Sequence, residues 1–152
     1  MSVTVKIEDR AYDFALRIVR MAQALPENYA SQAIGRQVLR SGTSIGANVE
    51  EAIGAASKRD FANKMTIARK EARETHYWLR LIRDSKMIPA SRIEPLILEA
   101  LELAKILSKI VSTTRKNLAQ PARKIVHYAL CTMNWPVLYL PQPNHSQRRT
   151  KI

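Results

Sequence analysis

Apolar residues recur at three- and four-residue steps through most of this chain, and that spacing predicts amphipathic helices. The first pattern runs from about Asp9 to Leu25, with Ala11, Phe14, Ala15, Ile18, Met21, Ala22 and Leu25 on one face, and Pro26 stops it. The second runs from about Ser31 to Ala56 through Ile34, Val38, Ser41, Ile45, Val49 and Ala52, and Gly54 and Ser57 mark its end. A third begins at Ser57, a capping side chain with Asp60 three residues on, and continues through Phe61, Met65, Ala68, Ala72, Thr75, Leu79 and Ile82. A fourth is announced by Pro89 and by Ser91-Arg92-Ile93-Glu94, read as a capping box with Pro95 inside the first turn. Its stripe is Ile93, Leu96, Ile97, Ala100, Leu103, Ala104, Leu107, Ile110, Val111, Thr114 and Leu118.

Strand-like alternation is absent before residue 120. Four helices with short connections predict an all-α fold, an antiparallel up-and-down four-helix bundle over residues 8–119. Residues 120–152 break the pattern. Pro121, Pro136, Pro141 and Pro143 punctuate them, and the last nine residues are polar and basic, so they are expected to form a C-terminal extension.

Charge sharpens this division. The 152 residues carry 25 Lys and Arg against 13 Asp and Glu, a net of +12. Residues 1–102 hold 16 of the cations and all 13 acids, whereas residues 103–152 hold nine cations and no acid. Such asymmetry points to a polyanionic partner; the plainer alternative is a solubilising tail. The single cysteine, Cys131, excludes an intramolecular disulfide and a multi-cysteine zinc site. The first ten residues lack the apolar run of a signal peptide, and no stretch reaches the length of a membrane span. A cytoplasmic protein without membrane association is therefore expected.

Catalytic chemistry finds little to stand on. The histidines are His76, His127 and His145, and no Glu-x-x-His pair, His-Glu-x-x-His, Gly-rich phosphate loop or Gly-x-Ser-x-Gly is present. No enzyme activity, cofactor or metal is expected.

Three helix faces carry the remaining signals. On the second helix Ser41, Ser44, Asn48 and Glu51 form a polar edge beside the apolar stripe. Its expected role is to fix helix register through buried hydrogen bonds; a ligand site is the alternative. On the third helix Lys58, Arg69, Arg73, Arg80 and Arg83 share a sector of about 80° with His76. This ridge spans about 37 Å and could track a phosphate backbone. The opposite side mixes Asp60, Glu71 and Glu74 with Ile67, Trp78 and Leu81. The last three are candidate subunit-interface residues, unless Trp78 packs on a second helix of its own bundle. Arg36 and Arg40 on the second helix, and Arg115, Lys116, Arg123, Lys124, Arg148 and Arg149 near the C-terminus, complete the nucleic-acid-binding candidates.

The run Leu39-Arg40-Ser41-Gly42-Thr43-Ser44-Ile45-Gly46-Ala47-Asn48-Val49-Glu50-Glu51-Ala52, followed by Ser57-Lys58-Arg59-Asp60-Phe61 and by Ile67 to Thr75, resembles a known family. It is similar to the small four-helix bundle proteins encoded in intervening sequences of bacterial 23S rRNA genes. A related member is the accessory variability determinant of diversity-generating retroelements. The resemblance covers roughly residues 8–119. It implies a ring-shaped homopentamer, non-enzymatic, that binds RNA or DNA through a basic surface and, in the retroelement relative, works with a reverse transcriptase. Residues 120–152 extend past the family's usual end. Binding of structured RNA or RNA–DNA hybrid with little sequence specificity is the expected function. An accessory subunit of a reverse transcriptase and a passive structural oligomer are its rivals.

Overall fold

The computed structural model describes residues 6–119, and the expected extension over 120–152 lies outside them. The described residues form four helices and no strand: α1 (Ile7–Gln23), α2 (Tyr29–Ile53), α3 (Lys58–Asp84) and α4 (Ala90–Ala119). Each helix buries most of the stripe that its spacing predicted, although Leu118 at the end of α4 stays 43% exposed. Phe14 and Ile18 from α1, Val38, Ile45 and Val49 from α2, Met65, Leu79 and Ile82 from α3, and Ile93, Leu103 and Leu107 from α4 are all at most 1% exposed. Burial of side chains of this size contributes roughly 1.5–3 kcal/mol each, which is ample to hold helices whose outer faces are mostly charged.

α3 packs along both α2 and α4, α1 lies on α2, and α1 meets α4 only lightly. The α1–α4 seam is tied by a two-pronged ion pair. Arg10 Nε donates to Glu99 Oε1 at 2.6 Å and Arg10 Nη2 to Glu99 Oε2 at 3.1 Å. The hydrogen bond to Glu99 holds the guanidinium even more firmly protonated than usual.

The ends of the helices follow local chemistry. Asn28 caps α2 by accepting from the Ser31 amide at 2.9 Å, and Ser57 caps α3 by accepting from the Asp60 amide at 3.1 Å. α3 closes with the Met87 amide donating to Ile82 O and the Lys86 amide to Arg83 O, a Schellman ending. Lys86 sits at φ 56°, the left-handed position where glycine is usual.

Two details of the sequence reading need correction. α4 starts at Ala90, so Ser91 lies inside its first turn rather than capping it, and Glu94 reaches across to Arg83 at 3.4 Å instead of closing a box. The turn opens two residues early because the Arg92 amide donates to Pro89 O at 2.9 Å, which brings Ile93 into the core. Pro95 is consequently the sixth helical residue, past the first turn, and its exposed position leaves the carbonyl it cannot serve to water. The second helix ends at Ile53 rather than Ala56, with Gly54 as its C-cap.

Candidate nucleic-acid interface

α3 carries a regular interleaving. Buried Ala68, Ala72, Thr75, Leu79 and Ile82 are each followed directly by Arg69, Arg73, His76, Arg80 and Arg83. One residue of an α-helix turns by about 100°, so the basic ridge is the core stripe rotated by one step. That rotation aims the ridge along the seam with α4.

The seam is a groove. One stretch, of about 620 Å³, is lined by Arg73, His76 and Arg80 from α3 and by Leu101, Ala104, Lys105 and Ser108 from α4. The next, of about 420 Å³, is lined by Arg69 from α3 and by Ser108, Val111, Ser112, Arg115, Lys116 and Ala119 from α4. Ser108 borders both, so the two stretches adjoin along the seam. Six cations line it, and no acid does. Arg115 Nη2 donates to Thr66 Oγ1 at 3.2 Å and bridges the helices near the end of α4. Lys105 Nζ also pairs with Glu102, 2.7 Å away, just outside the lining. Burial first, then the charges of Arg80 and Arg83, depress the His76 pKa below its ordinary value, so the ring is neutral at neutral pH.

The thirteen candidate cations thus separate into groups. Arg69, Arg73, Arg80, Arg115 and Lys116 converge on the groove. Lys58 is exposed at the start of α3. Arg83 continues the ridge but is engaged by Asp84 at 2.8 Å and by Glu94 at 3.4 Å. Arg36 lies elsewhere, on the rim of a separate cavity of about 460 Å³ between α1 and α2. Arg40 pairs with Glu74 and lies 3.7 Å from Glu71, which commits it to the α2–α3 contact. Arg123, Lys124, Arg148 and Arg149 lie outside the described residues. The sequence reading missed Lys105. Its signal was the spacing Lys105, Ser108, Ser112, Arg115 along α4, a polar line parallel to the α3 ridge.

The polar edge of α2 divides as well. Ser41 is fully buried, with its Oγ 3.0 Å from Thr75 Oγ1 of α3. Glu51 pairs with Lys64 across the same contact. Asn48 Nδ2 instead donates to Ser44 O on its own helix at 2.8 Å. Of the interface candidates, Ile67 is 40% exposed, while Trp78 and Leu81 are half-buried. Trp78 packs against the core, its Nε1 donates to Glu74 Oε1 at 3.2 Å, and its ring meets Tyr77 edge-on at 4.9 Å.

Among the described residues no three His, Cys, Asp or Glu side chains are grouped to hold a metal ion. No helix among them is long and apolar enough to cross a membrane.

Four helices over the described residues, with arginines of α3 gathered along its seam with α4, are the class that fold and groove define. Residues 4–109 match the family described as 23S rRNA-intervening sequence protein, and the chain belongs to it. A crystal structure of a protein with unknown function from the S23 ribosomal protein family of Bacteroides thetaiotaomicron is 40% identical. That match covers 70% of this chain and 98% of the other, with a TM-score of 0.66. No curated protein matches the chain.

Proposed function

We propose that this protein binds RNA or RNA–DNA hybrid with little sequence specificity, by seating phosphates in the α3–α4 groove. The observation that carries this reading is the lining: six Arg and Lys side chains from two helices and no carboxylate. Cations gathered with a single counter-charge at their edge, Glu102 on Lys105, focus a positive potential along a concave surface, and each phosphate they neutralise releases condensed counterions. Base edges are not needed for such contacts, which is why affinity comes without sequence preference. The protein acts by binding rather than by catalysis.

The bundle is read as up-and-down. Leu25 just past α1, then Ile18 and Ala11 within it, approach Gly35, Gly42 and Gly46 of α2, descending against ascending numbers. Arg40 and Glu51 of α2 meet Glu74 and Lys64 of α3 in the same sense. Self-association into a homo-oligomer is supported by exposed apolar side chains on the outer faces, among them Ile67, Tyr77 and Leu98. A cytoplasmic setting suits an RNA ligand.

Titration of the purified protein against structured RNA and duplex DNA across a salt series tests the reading, with its mass taken by light scattering. Six phosphate contacts give a log–log salt slope of about −5 on duplex DNA. The triple variant Arg69→Glu, Arg73→Glu, Arg80→Glu should abolish binding while its helical circular dichroism stays intact. Unchanged affinity in that variant removes the groove from the function.

A further inference from the structure

A duplex offers a protein groove its phosphates and sugars, with its bases stacked inside. A line of cations is enough to follow it. The stretch of the groove around His76 contains more than that. It is an open concavity of about 620 Å³, room enough for a group the size of a nucleobase. One wall is apolar, made by Ala104 and by Leu101, which is 38% exposed. Opposite stands the His76 ring, uncharged at neutral pH because burial and two arginines oppose its protonation. A neutral imidazole adds nothing to phosphate attraction, but it offers a flat face for stacking and ring nitrogens for hydrogen bonds. Arg73, Arg80 and Lys105 stand around this apolar and aromatic floor. Cations beside a stacking surface are the combination that single-stranded nucleic acids use.

We propose that this pocket receives an unstacked nucleobase of a single-stranded segment, between His76 and Leu101, with the flanking phosphates on Arg73, Arg80 and Lys105. The inference rests on the groove being the nucleic-acid site and adds which form of nucleic acid it selects. The preferred ligand is then a loop, bulge or strand end. Bases are taken for their faces, so the preference is for strandedness and not for sequence.

The test uses the full chain and three fluorescently labelled probes: an unstructured RNA strand, its DNA counterpart, and a blunt RNA duplex. Single strands should bind more tightly than the duplex, by an advantage that persists at high salt because stacking releases no counterions. Leu101→Ser and His76→Ala should each weaken single-strand binding about tenfold, the scale of one lost base stack, and leave duplex binding and the salt slope unchanged. His76→Phe should restore affinity, since a phenyl ring stacks without hydrogen bonding. Thermal melts confirm that each variant is folded. Equal affinity for single strand and duplex, or single-strand affinity untouched in Leu101→Ser and His76→Ala, overturns the base pocket while the phosphate groove stands. If Arg73→Glu with Arg80→Glu leaves every probe bound as before, or if no probe binds the native chain, the groove reading fails and this inference falls with it.

Discussion

Ser41 Oγ on α2 and Thr75 Oγ1 on α3 lie 3.0 Å apart where neither residue has any exposed surface. Thr75 Oγ1 lies 2.8 Å from Glu71 O and Ser41 Oγ 3.4 Å from Val38 O, so each hydroxyl has a carbonyl of its own helix as well as the other hydroxyl within reach. The two hydroxyls satisfy each other at a depth that water does not reach. Sliding α2 along α3 by one turn would break this contact and leave each hydroxyl only the carbonyl of its own helix. Removal of either, as Ser41→Ala or Thr75→Val, should cost about 1–2 kcal/mol in chemical denaturation. The double variant should cost less than the sum, by about 0.5–1 kcal/mol. Strict additivity would mean that the hydroxyls do not interact.

Glu71 sits one turn before Thr75 and is the strained partner of the same contact. Its Oε2 is buried and makes no hydrogen bond among the described residues, and Arg40 Nη1 stands off at 3.7 Å. Burial, then repulsion from Glu74, raises its pKa, against a smaller lowering by Arg40. The folded state therefore holds the Glu71 proton more tightly than the unfolded chain does. Its contribution to stability is complete below the ordinary value of about 4.5 and is lost as pH rises through the raised folded value. Glu71→Gln mimics the protonated form. It should melt at a higher temperature than the native chain at neutral pH, with the gap closing below about pH 4.5. A variant less stable at neutral pH would show that the Arg40 attraction outweighs burial.

Two glycines of α2 face α1 at different distances, and alanine should separate them. A Cβ on Gly42 would stand 2.8 Å from Ile18 Cγ2 and 3.0 Å from Cγ1, and Ile18 is a fully buried, β-branched residue with nowhere to turn. Gly42→Ala should destabilise by about 1–3 kcal/mol. A Cβ on Gly46 would meet Ala11 O at 3.6 Å, an ordinary contact. Gly46→Ala should stabilise by about 0.5–1 kcal/mol through helix propensity. Urea denaturation of the pair checks both signs, and a stabilised Gly42→Ala would mean that α1 can move away from α2.

The helices were legible in the sequence because period and punctuation agree. The stripes of Phe14, Ile45, Leu79 and Leu103 recur at helical steps, and Pro26, Gly54 and Ser57 stand where helices stop or start. The start of α4 was misplaced because a capping-box spelling at Ser91 to Glu94 competes with a turn opened by Pro89, and burial of Ile93 decides for the latter. The basic ridge of α3 was visible, since phase within one helix follows from arithmetic. Which cations meet in space was not. Arg40 and Arg83 read like their neighbours until the facing helices bring Glu74 and Glu94 to them. Lys105 joins the site only because α4 is the helix that lies along the ridge. Neighbour choice and crossing geometry are tertiary facts that no single-helix pattern encodes.

The one-step offset between core and ridge on α3 makes the length of that helix a fixed quantity. Deleting a single residue ahead of Ala68 would advance the downstream segment by one place and deliver Arg69, Arg73, His76, Arg80 and Arg83 to the interior. Inserting one would deliver Ile67, Glu71, Glu74, Trp78 and Leu81 instead. Either frame puts at least two ionisable side chains where burial without a partner is prohibitive. The connection at 54–57 carries no such phase and can lengthen, whereas α3 can change its letters but not its count.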